Sequence, residues 1–202
     1  PLTHTIIHDN EPEVLADGRI VFIRSDNFFD RGKVETRLHA VHPDGARGQN
    51  VFSLESGPEY GNRLRAYLCG SPAPMPDGRL AFLSGSGISI GRPGHRQQLE
   101  HLPVAAGDVA ALPDGRLLCT TVEKNGYRKI QVLDPDRRPP ALTTLYESPN
   151  SALHSPVYLG PMPRPPQLPR QHDPPKANDV GTTGFLFCQN ARFTKNTTAG
   201  WP

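Results

Sequence analysis

The sequence predicts an all-β chain: a partial β-propeller of three to four blades, each of four antiparallel strands, followed by a Pro-rich crossover. Three observations carry that expectation. An eight-residue unit recurs as Ala16-Asp17-Gly18-Arg19-Ile20-Val21-Phe22-Ile23, Pro76-Asp77-Gly78-Arg79-Leu80-Ala81-Phe82-Leu83 and Pro113-Asp114-Gly115-Arg116-Leu117-Leu118-Cys119-Thr120. An apolar residue stands two places before each aspartate: Leu15, Met75 and Leu112. Around these units, short apolar segments are spaced at about the 40 residues of a four-stranded blade.

Each copy of the unit reads as strand, tight turn, strand. Proline presets φ, aspartate hydrogen-bonds its neighbouring backbone, and glycine supplies positive φ. The apolar run after the turn is continuous, which predicts burial on both faces between stacked sheets. In the first unit the third and fourth strands are expected at residues 38–42 and 51–54. Residues 25–36 and 57–65 read as long loops on the rim. The middle unit is compressed, with outer strands at 88–90 and 98–102. The third unit places its outer strands at 129–133 and 142–146, because Leu38-His39-Ala40-Val41-His42-Pro43-Asp44 aligns with Ile130-Gln131-Val132-Leu133-Asp134-Pro135-Asp136. A fourth blade is expected to open at 154–159. The blades thus occupy residues 1–159, with repeat turns at Asp17, Asp77 and Asp114.

The 23 prolines divide between the blade turns and a linker at 160–183, where Pro161, Pro163, Pro165, Pro166, Pro169, Pro174 and Pro175 cluster. Proline lacks a backbone donor and holds the chain extended, so a polyproline II crossover is expected. Residues 184–202 then read as the start of a following domain, opening on the apolar strand Gly184-Phe185-Leu186-Phe187-Cys188. The chain opens on Pro1 and closes on Pro202, which reads as an internal piece of a longer protein.

Composition excludes more than it selects. Twenty-two Lys and Arg against 20 Asp and Glu leave a net charge of +2, so charge points to no nucleic-acid partner. No apolar run approaches the roughly 20 residues of a membrane-spanning helix. The three cysteines, Cys69, Cys119 and Cys188, are far apart, with neither a disulfide framework nor a zinc knuckle in their spacing. No G-x-S-x-G elbow occurs, and no catalytic residue is assigned. Gly85-Ser86-Gly87 lacks the Lys-Ser/Thr of a phosphate loop and reads as a hairpin. His39 and His42 would face opposite sides of a strand, and His4 and His8 would sit about 13 Å apart, so neither pair chelates one ion. His8 with Asp9 and Glu11 reads as a polar blade entry.

Two places remain as candidates. Asp26, Asn27 and Asp30 offer oxygen ligands at short spacing, a chemistry that suits calcium. Beside them Phe28, Phe29 and Arg31 form a candidate partner or ligand contact, since adjacent aromatics imply docking. Cys188 is the thiol set in a motif, a candidate ligand for zinc or a neighbour of haem.

The repeats resemble the P-D-G-R/K-apolar-x-F units of TolB-type (PD40, WD40-like) propellers over residues 11–148. Gly184-Phe185-Leu186-Phe187-Cys188-Gln189-Asn190 and Lys195-Asn196-Thr197-Thr198-Ala199-Gly200-Trp201, after a propeller and a Pro-rich crossover, resemble hydrazine synthase alpha-subunit-like proteins. That resemblance implies a periplasmic or secreted protein in which the propeller leads into a middle domain. It also implies c-type haem, or zinc, in the complete protein. This chain holds no Cys-x-x-Cys-His, so no cofactor is expected within it and a covalent haem would lie past residue 202. The expected function is a binding or scaffold segment of a larger extracytoplasmic bacterial protein, without catalysis in this chain. Its expected partners are the remaining blades and downstream domain of its own chain, and a protein partner. The alternative is the propeller portion of a haem-containing redox enzyme similar to hydrazine synthase alpha subunit.

Three or four blades fall short of most closed propellers and leave strand edges open to pairing. The 202-residue chain by itself is therefore expected to be poorly soluble or partly unfolded. Sedimentation and calorimetry check this; a monodisperse monomer with one cooperative melt is the contrary result.

Overall fold

The structure is a computed structural model that describes residues 3, 8–28, 33–52, 69–85, 87–94, 99–122, 128–149, 151 and 153–170. These belong to the unit Pro1–Gln171; a second unit, His172–Pro202, lies outside the described residues. Twelve strands form three antiparallel sheets of four, each meandering in chain order. The first sheet holds β1 (His8–Val14), β2 (Ile20–Phe28), β3 (Lys33–Val41) and β4 (Gln49–Asn50). The second holds β5 (Cys69–Pro74), β6 (Leu80–Ser84), β7 (Gly87–Gly91) and β8 (Glu100–Leu102). The third holds β9 (Ala106–Ala111), β10 (Leu117–Val122), β11 (Arg128–Asp134) and β12 (Ala141–Ser148). First strands β1, β5 and β9 lie side by side, as the inner strands of successive propeller blades do.

The repeated turn has one construction. Gly18 N–H donates to the Leu15 carbonyl at 2.9 Å, and Leu15 N–H donates to the Arg19 carbonyl at 2.8 Å. The same pair of bonds joins Met75 with Gly78 and Arg79, and Leu112 with Gly115 and Arg116. Glycine is required because φ there is 87°, 84° and 86° in the three copies. Each aspartate then braces the exit: Asp77 Oδ1 accepts the Arg79 N–H at 2.9 Å, and Oδ2 accepts Arg79 Nε–H at 2.6 Å. Asp17 with Arg19 and Asp114 with Arg116 repeat both bonds. The arginine of the unit is thus a turn brace.

Strand alternation sets how the blades stack. Val21 and Ile23 of β2 share a core cluster with Leu80 and Phe82 of β6, between the first and second blades. The odd-numbered side of the second blade, Ala81 with Met75, meets Leu117, Cys119 and Leu133 of the third. The second blade is therefore buried on both faces, as its uninterrupted apolar runs predict; β7 is buried along its whole length. Phe52 stacks on Phe82 with ring centroids 5.3 Å apart. The next position in this series is the far face of the third blade, where Leu112, Leu118 and Val132 form a smaller cluster.

Several boundaries differ from expectation. Residues 25–28 and 33–36 are strand, in register from Ser25↔Thr36 to Phe28↔Lys33, where a loop was expected. A long two-stranded ribbon satisfies its own backbone polar groups, so its polar side chains need no loop. Residues 57–65 lie outside the described residues. The fourth strand of the first blade is Gln49–Asn50, ahead of the expected 51–54; Val51 N–H still donates to the Leu38 carbonyl of β3 at 2.9 Å, Val51 and Phe52 fill the core, and residues 53–54 lie outside the described residues. The other outer strands fall where expected, β8 beginning at Glu100. Residues 153–170 form neither strand nor helix, so no paired strand opens at 154–159.

One brace also joins blades. Arg79 reaches Asp136 in the turn after β11, donating at 2.8 Å and 3.1 Å. That bond holds the Asp136 carboxyl below the usual carboxylate range. Arg79→Ala is expected to cost about 1 kcal/mol, and Arg116→Ala, whose arginine braces its own turn at the surface, less than that. Because the folded pKa of Asp136 is lowered, this stabilisation is present above the unfolded value, near about 3.9, and is lost as pH falls through the folded one. Urea unfolding at neutral and acid pH reads it; equal losses for the two variants at neutral pH would contradict the assignment.

Candidate functional site

The inner strands carry a polar seam from blade to blade. It begins with bulges: pairing of β1 with β2 shifts between Asn10 and Glu13, and pairing of β5 with β6 shifts between Gly70 and Ala73. The bulged residues Glu11 and Ser71 each precede a proline, each lie six places before a turn aspartate, and have φ of 50° and 49°. Such bulges re-aim the chain. Glu11 Oε2 accepts the Ser71 N–H at 2.6 Å. Ser71 Oγ in turn donates to the Val109 carbonyl at 3.1 Å and accepts the Val109 N–H at 3.0 Å. Thr36 Oγ1 makes the same two kinds of bond to Cys69, at 3.1 Å and 2.7 Å. In the third blade the equivalent of Glu11 and Ser71 is Asp108, whose Oδ2 accepts from Thr120 at 3.1 Å and from the Ser155 N–H at 3.0 Å.

At the turn end of the first two blades lies a groove of about 320 Å³ lined by Leu15, Ala16, Asp17, Arg19, Gly78, Arg92 and Pro93. Arg92 is held there by donating to the Asp77 carbonyl at 2.8 Å. Arg19 is held by Asp17 at 2.7 Å. The groove therefore presents two braced guanidiniums and a carboxylate beside the apolar Leu15 and Pro93. Its chemistry suits the polar and apolar contacts of a polypeptide surface.

The sequence candidates fall as follows. Asp26 and Asn27 lie in β2, in register with Glu35 and Val34, and Phe28 ends that strand opposite Lys33. Phe29, Asp30, Arg31 and Cys188 lie outside the described residues. Among the described residues no group of three or more His, Cys, Asp or Glu converges on an ion position. His39 stacks on Phe22 at 6.0 Å, while His42 pairs through Nδ1 with Asp44 at 2.7 Å, so the two serve separate neighbours. Asp9 is bound by Arg24 through two bonds of 2.8 Å, which hold its carboxyl below the usual range. Glu11 joins the seam. His8, Asp9 and Glu11 do not act as one cluster.

One further group escaped the sequence reading. Ser84, Ser89 and His101 form a chain of polar contacts, Ser89 Oγ lying 3.3 Å from His101 Nδ1. Both serines are buried, so this chain satisfies polar atoms within the second blade. Burial pushes the Cys69 thiol up to about 12 and the Cys119 thiol to about 11; Cys119 is a core residue, while Cys69 is half-buried against the first cluster. Nothing in the local sequence flagged the seam, whose partners in different blades are 33 to 60 residues apart.

No family model matches the chain, and no curated protein matches it. Among solved structures it is similar to a chain of Kuenenia stuttgartiensis hydrazine synthase, with a TM-score of 0.60 and 17% identity. The similarity covers 83% of this chain and 23% of that one, so this chain spans about a quarter of the length of the protein it matches. The likeness is one of fold.

The seam generates a test. Ser71→Ala strands the Val109 N–H and carbonyl and should cost about 1–3 kcal/mol in reversible urea unfolding. A loss below about 0.5 kcal/mol would remove the seam from the forces that join blades.

Proposed function

We propose that this chain is the binding or scaffold segment of a larger extracytoplasmic bacterial protein, a propeller of TolB-type repeats without catalysis of its own. The groove at the turn end carries this reading. Its guanidiniums and carboxylate are fixed by turn bonds before any partner arrives, so little side-chain entropy is lost on docking. The occupant is the rest of the same polypeptide, the remaining blades and a downstream domain. The fold likeness to a much longer chain, of which the match covers 23%, supports that choice.

A second reading has one observation in its favour, the likeness to hydrazine synthase. In it the segment is the propeller portion of a haem-containing redox enzyme similar to the alpha subunit, with haem carried elsewhere in the protein. A pyridine haemochrome spectrum of the full-length protein separates the two: haem selects the second reading, its absence the first.

Hydrogen exchange tests the groove under either. Amides of residues 15–19 and 92–94 are expected to exchange more slowly in the full-length protein than in the 202-residue chain. Arg92→Glu should remove the difference. Equal exchange in the two proteins would show that the groove takes no such partner.

A further inference from the structure

Residues 153–170 touch the blades at two distant points. At the first, Ser155 repeats Ser71: each precedes a proline, each has positive φ (43° and 49°), and each donates its N–H to the acid six places before the previous blade's turn aspartate. Ser155 thus sits where a fourth inner strand would begin. The residues after it behave unlike their counterparts. Leu159 holds the place of Met75, yet Leu159 is 93% exposed and Met75 1%. Among the described residues no strand pairs with this segment, and the bond to Asp108 fastens it.

At the second point the segment meets the first blade. A Cβ placed on Gly18 would collide with the Pro166 carbonyl oxygen and lie 3.1 Å from Leu168 Cγ. Gly115, at the same place in the third blade and with the same φ, would meet no atom within 4 Å. Gly18 therefore does two things: it adopts the left-handed turn conformation, and it leaves room for a neighbouring backbone. Leu168 and Pro165, the half-buried members of this stretch, flank the contact, while residues 157–164 between the two anchors are exposed.

We propose that residues 155–168 are a clasp that ties the third blade to the turn of the first, latched by Asp108 at one end and seated on Gly18 at the other. Proline suits the role physically. Its fixed φ removes entropy from the unanchored span, so two small contacts suffice to hold it. The first and third blades, which share no strand pairing, are then coupled through the clasp.

The paired glycines give the test. Gly18→Ala and Gly115→Ala carry the same backbone strain, but only the first blocks the seat. In the full-length protein, chymotrypsin should cut after Tyr158 and Leu159 at least about fivefold faster in Gly18→Ala than in Gly115→Ala, because cleavage follows the open population. Leu168→Ala leaves the turn untouched and should speed the same cuts over the parent chain. Equal rates for the two glycine variants overturn the proposal. If Gly18→Ala fails to fold, an unchanged rate in Leu168→Ala overturns it and a faster one supports it.

Discussion

Each blade depends on an aspartate that closes its own turn. The carboxylate takes the backbone N–H two residues on with one oxygen and the arginine side chain with the other. It therefore fixes the exit direction of the second strand and the rotamer of the arginine together. Everything downstream needs that direction. The apolar residue ahead of the turn and the run behind it enter the core only if the hairpin closes in this register, since a one-residue slip would turn Leu80 and Phe82 away from Val21 and Ile23.

From the turns the structure builds outward by two kinds of contact. Apolar clusters fill the space between blades, with even and odd strand positions serving opposite neighbours. Polar links then set the blades against one another at both ends: Arg79 to Asp136 at the turn end, and Glu11 to Ser71 to Val109 along the inner strands. The apolar contacts supply most of the burial and tolerate small slides. Directional hydrogen bonds do not, so the polar links are what choose one stacking among near neighbours. A groove shared between two blades keeps its shape only if the blades keep their offset.

Much of the fold was legible because its signals are local. Pro-Asp-Gly-Arg names a turn within four residues, and the apolar run behind it names a strand buried on both faces. The strands at residues 25–28 and 33–36 were misread as loop because polar composition does not show that two antiparallel strands satisfy each other's backbone groups. The groove and the seam were not legible. Arg92 and Leu15 are brought together by blade stacking, and Ser71 meets Glu11 across 60 residues of chain.

The sequence alone determined the class of the fold, the place of three repeats and the roles of aspartate and glycine in each turn, because φ preferences and short-range hydrogen bonds act within a few residues. The tertiary structure decided which polar groups are spent on joining blades and where a groove opens. It also decided that Ser155, read as the opening of a fourth blade, bonds Asp108, and that Pro166 of the expected crossover lies against Gly18. Those outcomes turn on distances between residues remote in sequence, set by how the sheets stack and not by any local preference.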